Sequence, residues 1–144
     1  MKVKKFLTPL ILVCIALFAA VGCAGVEFIT DIAGYENLQR GGDKIDVVFE
    51  NGTQSGFEFT IEDKDEIDEI VNLALTTRLN NAGKRPFAPG QNTYITIYQG
   101  EKSYNLNVVG VTSGEYLYVF ATTDLNDKIR DMAERLGAFS VSDN

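Results

Sequence analysis

Two alternating segments that meet at a glycine constrain this chain more than any other feature. Asn92 to Gln99 sets Ile95 and Ile97 on one face and Tyr94, Thr96 and Tyr98 on the other. Lys102 to Val109 sets Tyr104 and Leu106 against Ser103, Asn105 and Asn107. A period of two is that of a half-buried strand. Gly100-Glu101 joins them, and glycine at the first central position is the signature of a type II′ hairpin. That turn pairs Ile97 with Tyr104 and Ile95 with Leu106. On the reverse face it pairs Tyr98 with Ser103, Thr96 with Asn105 and Tyr94 with Asn107. One face belongs to a core and the other to solvent or a partner.

A second hairpin precedes it. Lys44 to Glu50 carries Ile45, Val47 and Phe49 on one face with Lys44, Asp46 and Glu50 opposite, and Phe57, Phe59 and Ile61 continue the apolar alternation. A two-residue Asn51-Gly52 turn would send Phe57 to the wrong face. Register follows the buried face, so a three-residue loop, Asn51-Gly52-Thr53, is expected, pairing Val47 with Phe57 and Ile45 with Phe59.

Asp63 opens a helix. Its spacing to Glu66 is that of a capping box, and the acids from Asp63 to Glu69 suit a helix N-terminus. Ile67, Ile70, Val71, Ala74 and Leu75 form an apolar stripe that runs to about Leu79, where Asn80-Asn81 and Gly83 end it. Lys84 to Gln91 is irregular and proline-rich. After Gly110 to Gly114, Tyr116 to Ala121 reads as a fifth strand, with Leu117 and Val119 on one face and Tyr116, Tyr118 and Phe120 on the other. Thr123 or Asp124 caps a last helix with Leu125, Ile129, Met132, Ala133 and Leu136 on its apolar side, and Gly137 stops it. The class is α+β: a single antiparallel sheet of about five strands with two helices packed on one face, in the order β-β-α-β-β-β-α.

The N-terminus carries an address. Lys2, Lys4 and Lys5 precede an apolar run from Phe6 to Val21, and the run closes on Gly22-Cys23. A basic start, a short apolar run and a small-residue exit describe an export signal. The run is shorter than the roughly 20 residues a spanning helix needs. Ala20-Val21-Gly22-Cys23 resembles the lipobox of bacterial lipoproteins, with Ala where Leu is usual. The resemblance implies a signal peptide over residues 1–22, a diacylglycerol on the Cys23 sulfur, and a domain held on the outer face of a bacterial membrane. Two acyl chains on one residue make a stable anchor. Residues 23–43 then serve as lipidated cysteine and tether, with a short strand or helical turn around Val26 to Ile32 that docks on the domain. Residues 44–137 are the globular domain, and 138–144 a frayed tail.

Of the 144 residues the leader takes 22, three of the 13 basic residues and none of the 20 acidic ones, so 122 residues with a formal charge of −10 remain. Such a balance argues against nucleic acid. The chain has no histidine, and of its two cysteines Cys14 lies in the leader and Cys23 takes the lipid. The commonest general base and commonest metal ligand are thus missing, and no cofactor, metal site or catalytic set is expected. The acids from Glu62 to Glu69 lack the order of a calcium loop.

The expected binding surface is the open sheet face with Tyr94, Tyr98, Asn105, Asn107, Tyr116 and Tyr118. Tyrosine beside Asn, Ser and Thr offers rigid contact area with adaptable hydrogen bonding, though the same residues also suit any half-solvated strand. Arg85 and Phe87, in the irregular loop, are further candidates. Arg78, Lys84 and Arg85 form a basic spot that either grips an anion or balances the first helix. The functional expectation is a non-enzymatic, lipid-anchored binding or accessory module that recognises a protein, peptide or cell-wall ligand of the envelope. Alternatives are a structural accessory subunit of a membrane complex and a carboxylate-dependent hydrolase using Glu115.

Overall fold

The computed structural model describes residues 25–51, 54–84 and 91–137. Cys23, Arg85, Phe87 and the tail fall outside these residues. The chain runs β1 (Lys44–Asn51), β2 (Gln54–Ile61), α1 (Lys64–Thr76), β3 (Leu79–Gly83), β4 (Gln91–Gln99), β5 (Lys102–Asn107), β6 (Gly110–Ser113), β7 (Tyr116–Phe120) and α2 (Asp124–Arg135). The strands form one antiparallel sheet in the order β2-β1-β4-β5-β6-β7-β3. The class is α+β as expected, but the sheet has seven strands rather than about five.

Both additional strands have compositions that hide them. Leu79 to Gly83 reads Leu-Asn-Asn-Ala-Gly, a helix ending, yet Leu79 is buried against its partner Phe120. Helix α1 accordingly stops at Thr76, short of the expected Leu79. Gly110 to Ser113 reads as a turn, yet pairs along its length with β7. Glycine is required there, since a Cβ on Gly110 would lie 2.1 Å from the Tyr118 carbonyl oxygen.

The β4–β5 hairpin has the expected register at every pair, from Tyr98 with Ser103 to Tyr94 with Asn107. Gly100 takes φ +61°, open to glycine without steric cost. The β1–β2 register differs from expectation: Val47 faces Phe59 and Ile45 faces Ile61, two residues away from the expected partners. The same side chains still point inward, because a shift of two preserves the face. A bulge between Phe49 and Asn51 takes up the difference. Gly56 makes room for it, since a Cβ there would sit 1.9 Å from the Phe49 carbonyl oxygen.

Asp63 caps α1, its side chain accepting from the backbone N–H groups of Asp65 and Glu66 at 3.1 and 3.0 Å. Such a cap contributes about 0.5–2 kcal/mol. Gly137, with φ +77°, follows the end of α2. Ile67, Ile70, Val71 and Ala74 of α1, with Leu125, Ile129 and Met132 of α2, join one core with Ile45, Val47, Ile95, Ile97, Tyr104 and Leu106 of the sheet. Both helices therefore cover the same face.

Residues 25–43 complete that layer. A 3-10 turn, Ile29–Asp31, buries Ile29, and Ile32 and Leu38 follow it into the core. The segment starts at β3, where Leu79 N–H donates to Glu27 O at 2.8 Å. It ends at the β4–β5 turn, where Gly100 N–H donates to Asp43 Oδ2 at 2.7 Å. Midway, the Tyr35 hydroxyl donates to the Asn105 carbonyl, and desolvation pushes that phenol above its ordinary range. Residues 25–43, assigned to a tether by sequence, are thus part of the folded body.

Candidate functional site

With both helices on one side, the other side of the sheet is open, and the register fixes what it shows. One row crosses four strands as Thr60, Asp46, Thr96 and Asn105. A second runs from Glu58 through Val48, Tyr94, Asn107, Gly110 and Val119 to Asn80.

The first row is a polar ladder. Thr60 Oγ1 donates to Asp46 Oδ1 at 2.8 Å, and Thr96 Oγ1 donates to Asn105 Oδ1 at 2.7 Å. Lys44 Nζ lies 2.9 Å from Asp46 Oδ2 and 4.4 Å from the Tyr98 ring centroid. Burial pulls the Asp46 carboxyl upward, but hydrogen bonds from Lys44, Thr60 and Tyr98 outweigh it and hold the group below the usual carboxylate range. The bond to Asp46 correspondingly raises Lys44 above its ordinary range. Asp46 is therefore ionised and Lys44 charged across the neutral range.

On the open face, the second row brings apolar surface to solvent. Val48 is 36 % exposed, its cross-strand partner Tyr94 38 %, and Val109, just past the end of β5, 43 %. Asn107 sits beside them, only 5 % exposed. Its Oδ1 accepts from Val109 N–H at 3.0 Å, whereas its buried Nδ2 has no partner among the described residues. Chemically, this face offers a half-exposed apolar strip beside a rigid, hydrogen-bonded polar strip.

The expected site residues separate accordingly. Tyr94, Tyr98, Asn105 and Asn107 are brought together on the open face, as expected. Tyr116 and Tyr118 are not. Tyr118 aligns with Val111 and shares its side of the sheet with Phe120, and it packs against the core. Tyr116, on that same side at the strand end, is 43 % exposed beneath Lys84, whose Nζ lies 5.7 Å from its ring centroid. Leu117 and Val119 take the open side instead. Phe120 decides the matter, since burying it against Leu79 sends every second residue of β7 inward.

The basic spot is partly neutralised: Lys84 pairs with Glu115, and Arg78 lies 2.6 Å from Glu27. Exposed pairs of this kind contribute little stability. Val48 is the residue that sequence reasoning passed over. Its signal was there: an aliphatic side chain on the polar face of an otherwise strict alternation.

No family matches. The chain fits no protein-family model, and no curated protein or solved structure is significantly similar to it.

Two clefts lie elsewhere. One of about 650 Å³ runs between the helices, lined by Glu66, Lys128, Asp131, Glu134 and Arg135. Arg135 Nη2 lies 2.9 Å from Glu66 Oε1 across it, and Lys128 pairs with Glu69. The other, about 570 Å³, lies between residues 36–39 and the β4–β5 turn. Tyr104 lines it, and the buried Tyr104 hydroxyl has no partner among the described residues.

Proposed function

We propose that this chain is a non-enzymatic binding module of the bacterial envelope, anchored outside the membrane through a lipid on Cys23. It recognises a protein, peptide or cell-wall ligand with the open face of its sheet. The observation that carries the reading is the exposure of Val48 and Tyr94 side by side, bordered by the Asp46–Thr96–Asn105 ladder. Exposed apolar contact area with a satisfied polar rim is how recognition surfaces are built. The leader and the acidic, histidine-free composition agree with it.

The test has two arms. Intact-mass measurement on membrane-extracted protein is expected to find Cys23 at the N-terminus carrying a diacylglycerol; an unmodified cysteine in a cytosolic fraction sinks the anchor. Photo-crosslinkers placed at Val48 or Tyr94 in growing cells are expected to give one discrete adduct, with none from Asp131 on α2. Equal adducts from both sides, or none from the sheet, sink the recognition face.

A further inference from the structure

The sheet has two edges, and the fold treats them differently. β3 is partly closed, because Leu79 N–H points outward to Glu27 O. β2 pairs only with β1 among the described residues. Natural sheets blunt such an edge with proline, lysine, a short strand or a bulge, since unpaired N–H and C=O groups invite another strand. β2 has eight residues, neither proline nor lysine, and its bulge is confined to the loop end. From Phe57 to Ile61 the strand is regular, matched residue by residue to β1.

The side chains on either side of that edge complete a surface. Toward the helices, Phe57 and Phe59 form a half-buried cluster with Phe49, with ring centroids 5.8 Å (Phe57 to Phe59) and 6.2 Å (Phe49 to Phe59) apart. On the opposite face Glu58 is exposed, Glu50 lies on that face of β1, and among the described residues neither belongs to an ion pair. We propose that the β2 edge accepts an extended segment of another protein as an added strand. Its apolar residues lie against Phe57 and Phe59, and a Lys or Arg lies opposite Glu58. Backbone hydrogen bonds supply the affinity and alternate side chains the selectivity. A second copy of this chain is a poor occupant: the register that sets Phe57 against Phe59 places Glu58 against Glu58, and like charges directly opposite destabilise. This site shares Glu58 with the open-face row but uses the strand edge rather than the Val48–Tyr94 surface, and it needs no lipid anchor.

The test uses the full chain and a synthetic peptide of alternating valine and lysine, followed by amide hydrogen exchange and NMR titration. The peptide is expected to slow exchange within Phe57–Ile61. A glutamate-for-lysine peptide is expected to bind more weakly, and a version N-methylated along its bonding edge not at all. Glu58→Lys is expected to weaken the lysine peptide roughly threefold to tenfold and to strengthen the glutamate peptide. Glu58 is exposed, so folding is spared; Glu58→Gln, as the uncharged variant, falls between. The proposal is overturned by no binding of the lysine peptide. It is equally overturned by binding that N-methylation leaves intact, or by outward-facing β2 amides, those not bonded to β1, already protected without peptide. In that last case dilution tells a second copy from a segment of the same chain.

Discussion

Ile29→Ala tests whether the segment before β1 belongs to the fold. Ile29 is 0 % exposed and sits in the core with Ile32 and Leu38. The substitution deletes roughly three carbon groups at about 0.8 kcal/mol each, or about 2.4 kcal/mol of transfer free energy. A cavity that fails to collapse raises the loss toward 4 kcal/mol. A domain of this size has only about 5–15 kcal/mol in total, so the effect is large. Urea unfolding of the full chain is the assay: the midpoint is expected to fall while the slope stays constant, as it does when stability alone changes. Asn37→Ala, exposed in the same segment, serves as control and is expected to stay within about 0.5 kcal/mol. A loss below about 0.5 kcal/mol for Ile29→Ala would mean that residues 25–43 are a spacer after all, and the packing argument would fail.

Two further outcomes follow from the geometry. Gly56→Ala forces a carbon to within 1.9 Å of the Phe49 carbonyl, and is expected to cost about 1–3 kcal/mol or more as the bulge gives way; amide exchange should report it first in β1 and β2. For Asp46, whose folded carboxyl lies below the ordinary range, the stabilisation is present above about pH 4 and is lost as pH falls through the lower folded value. Asp46→Asn should therefore differ from the parent by about 0.2–1 kcal/mol at pH 7 and converge with it in acid. At the other limit Lys44, raised by the same bond, contributes below about pH 10.4 and loses that contribution above it. Unfolding midpoints across the pH range check both signs.

How much of this was legible in the sequence depends on how many cues agreed. At Gly100 the turn residue and both alternations demanded one register, and that register is what forms. At β1–β2 the alternation fixed the face but was blind to a two-residue slide. The deciding contact, Gly56 against the Phe49 carbonyl, is between backbones and leaves no hydrophobic trace. β3 and β6 were illegible for a related reason. Asn80, Asn81, Gly110 and Ser113 have turn propensities, and only long-range pairing with β7 holds them extended. Half the proposed face followed from β4 and β5 alone. The Tyr116 and Tyr118 assignment failed because β7 was oriented without knowing that Phe120 would be buried by a strand not yet counted.

The bond from Leu79 to Glu27 settles a matter of distance. With an acylated Cys23, fewer than five residues separate the lipid from the first point of attachment on the globule, a span of about 14 Å even fully stretched. A moored body cannot drift or tumble like one on a leash. The β3 corner would stay against the headgroups while the Gly100 turn, diagonally across, faces away from them, so the bilayer itself would decide which flanks a visitor can reach.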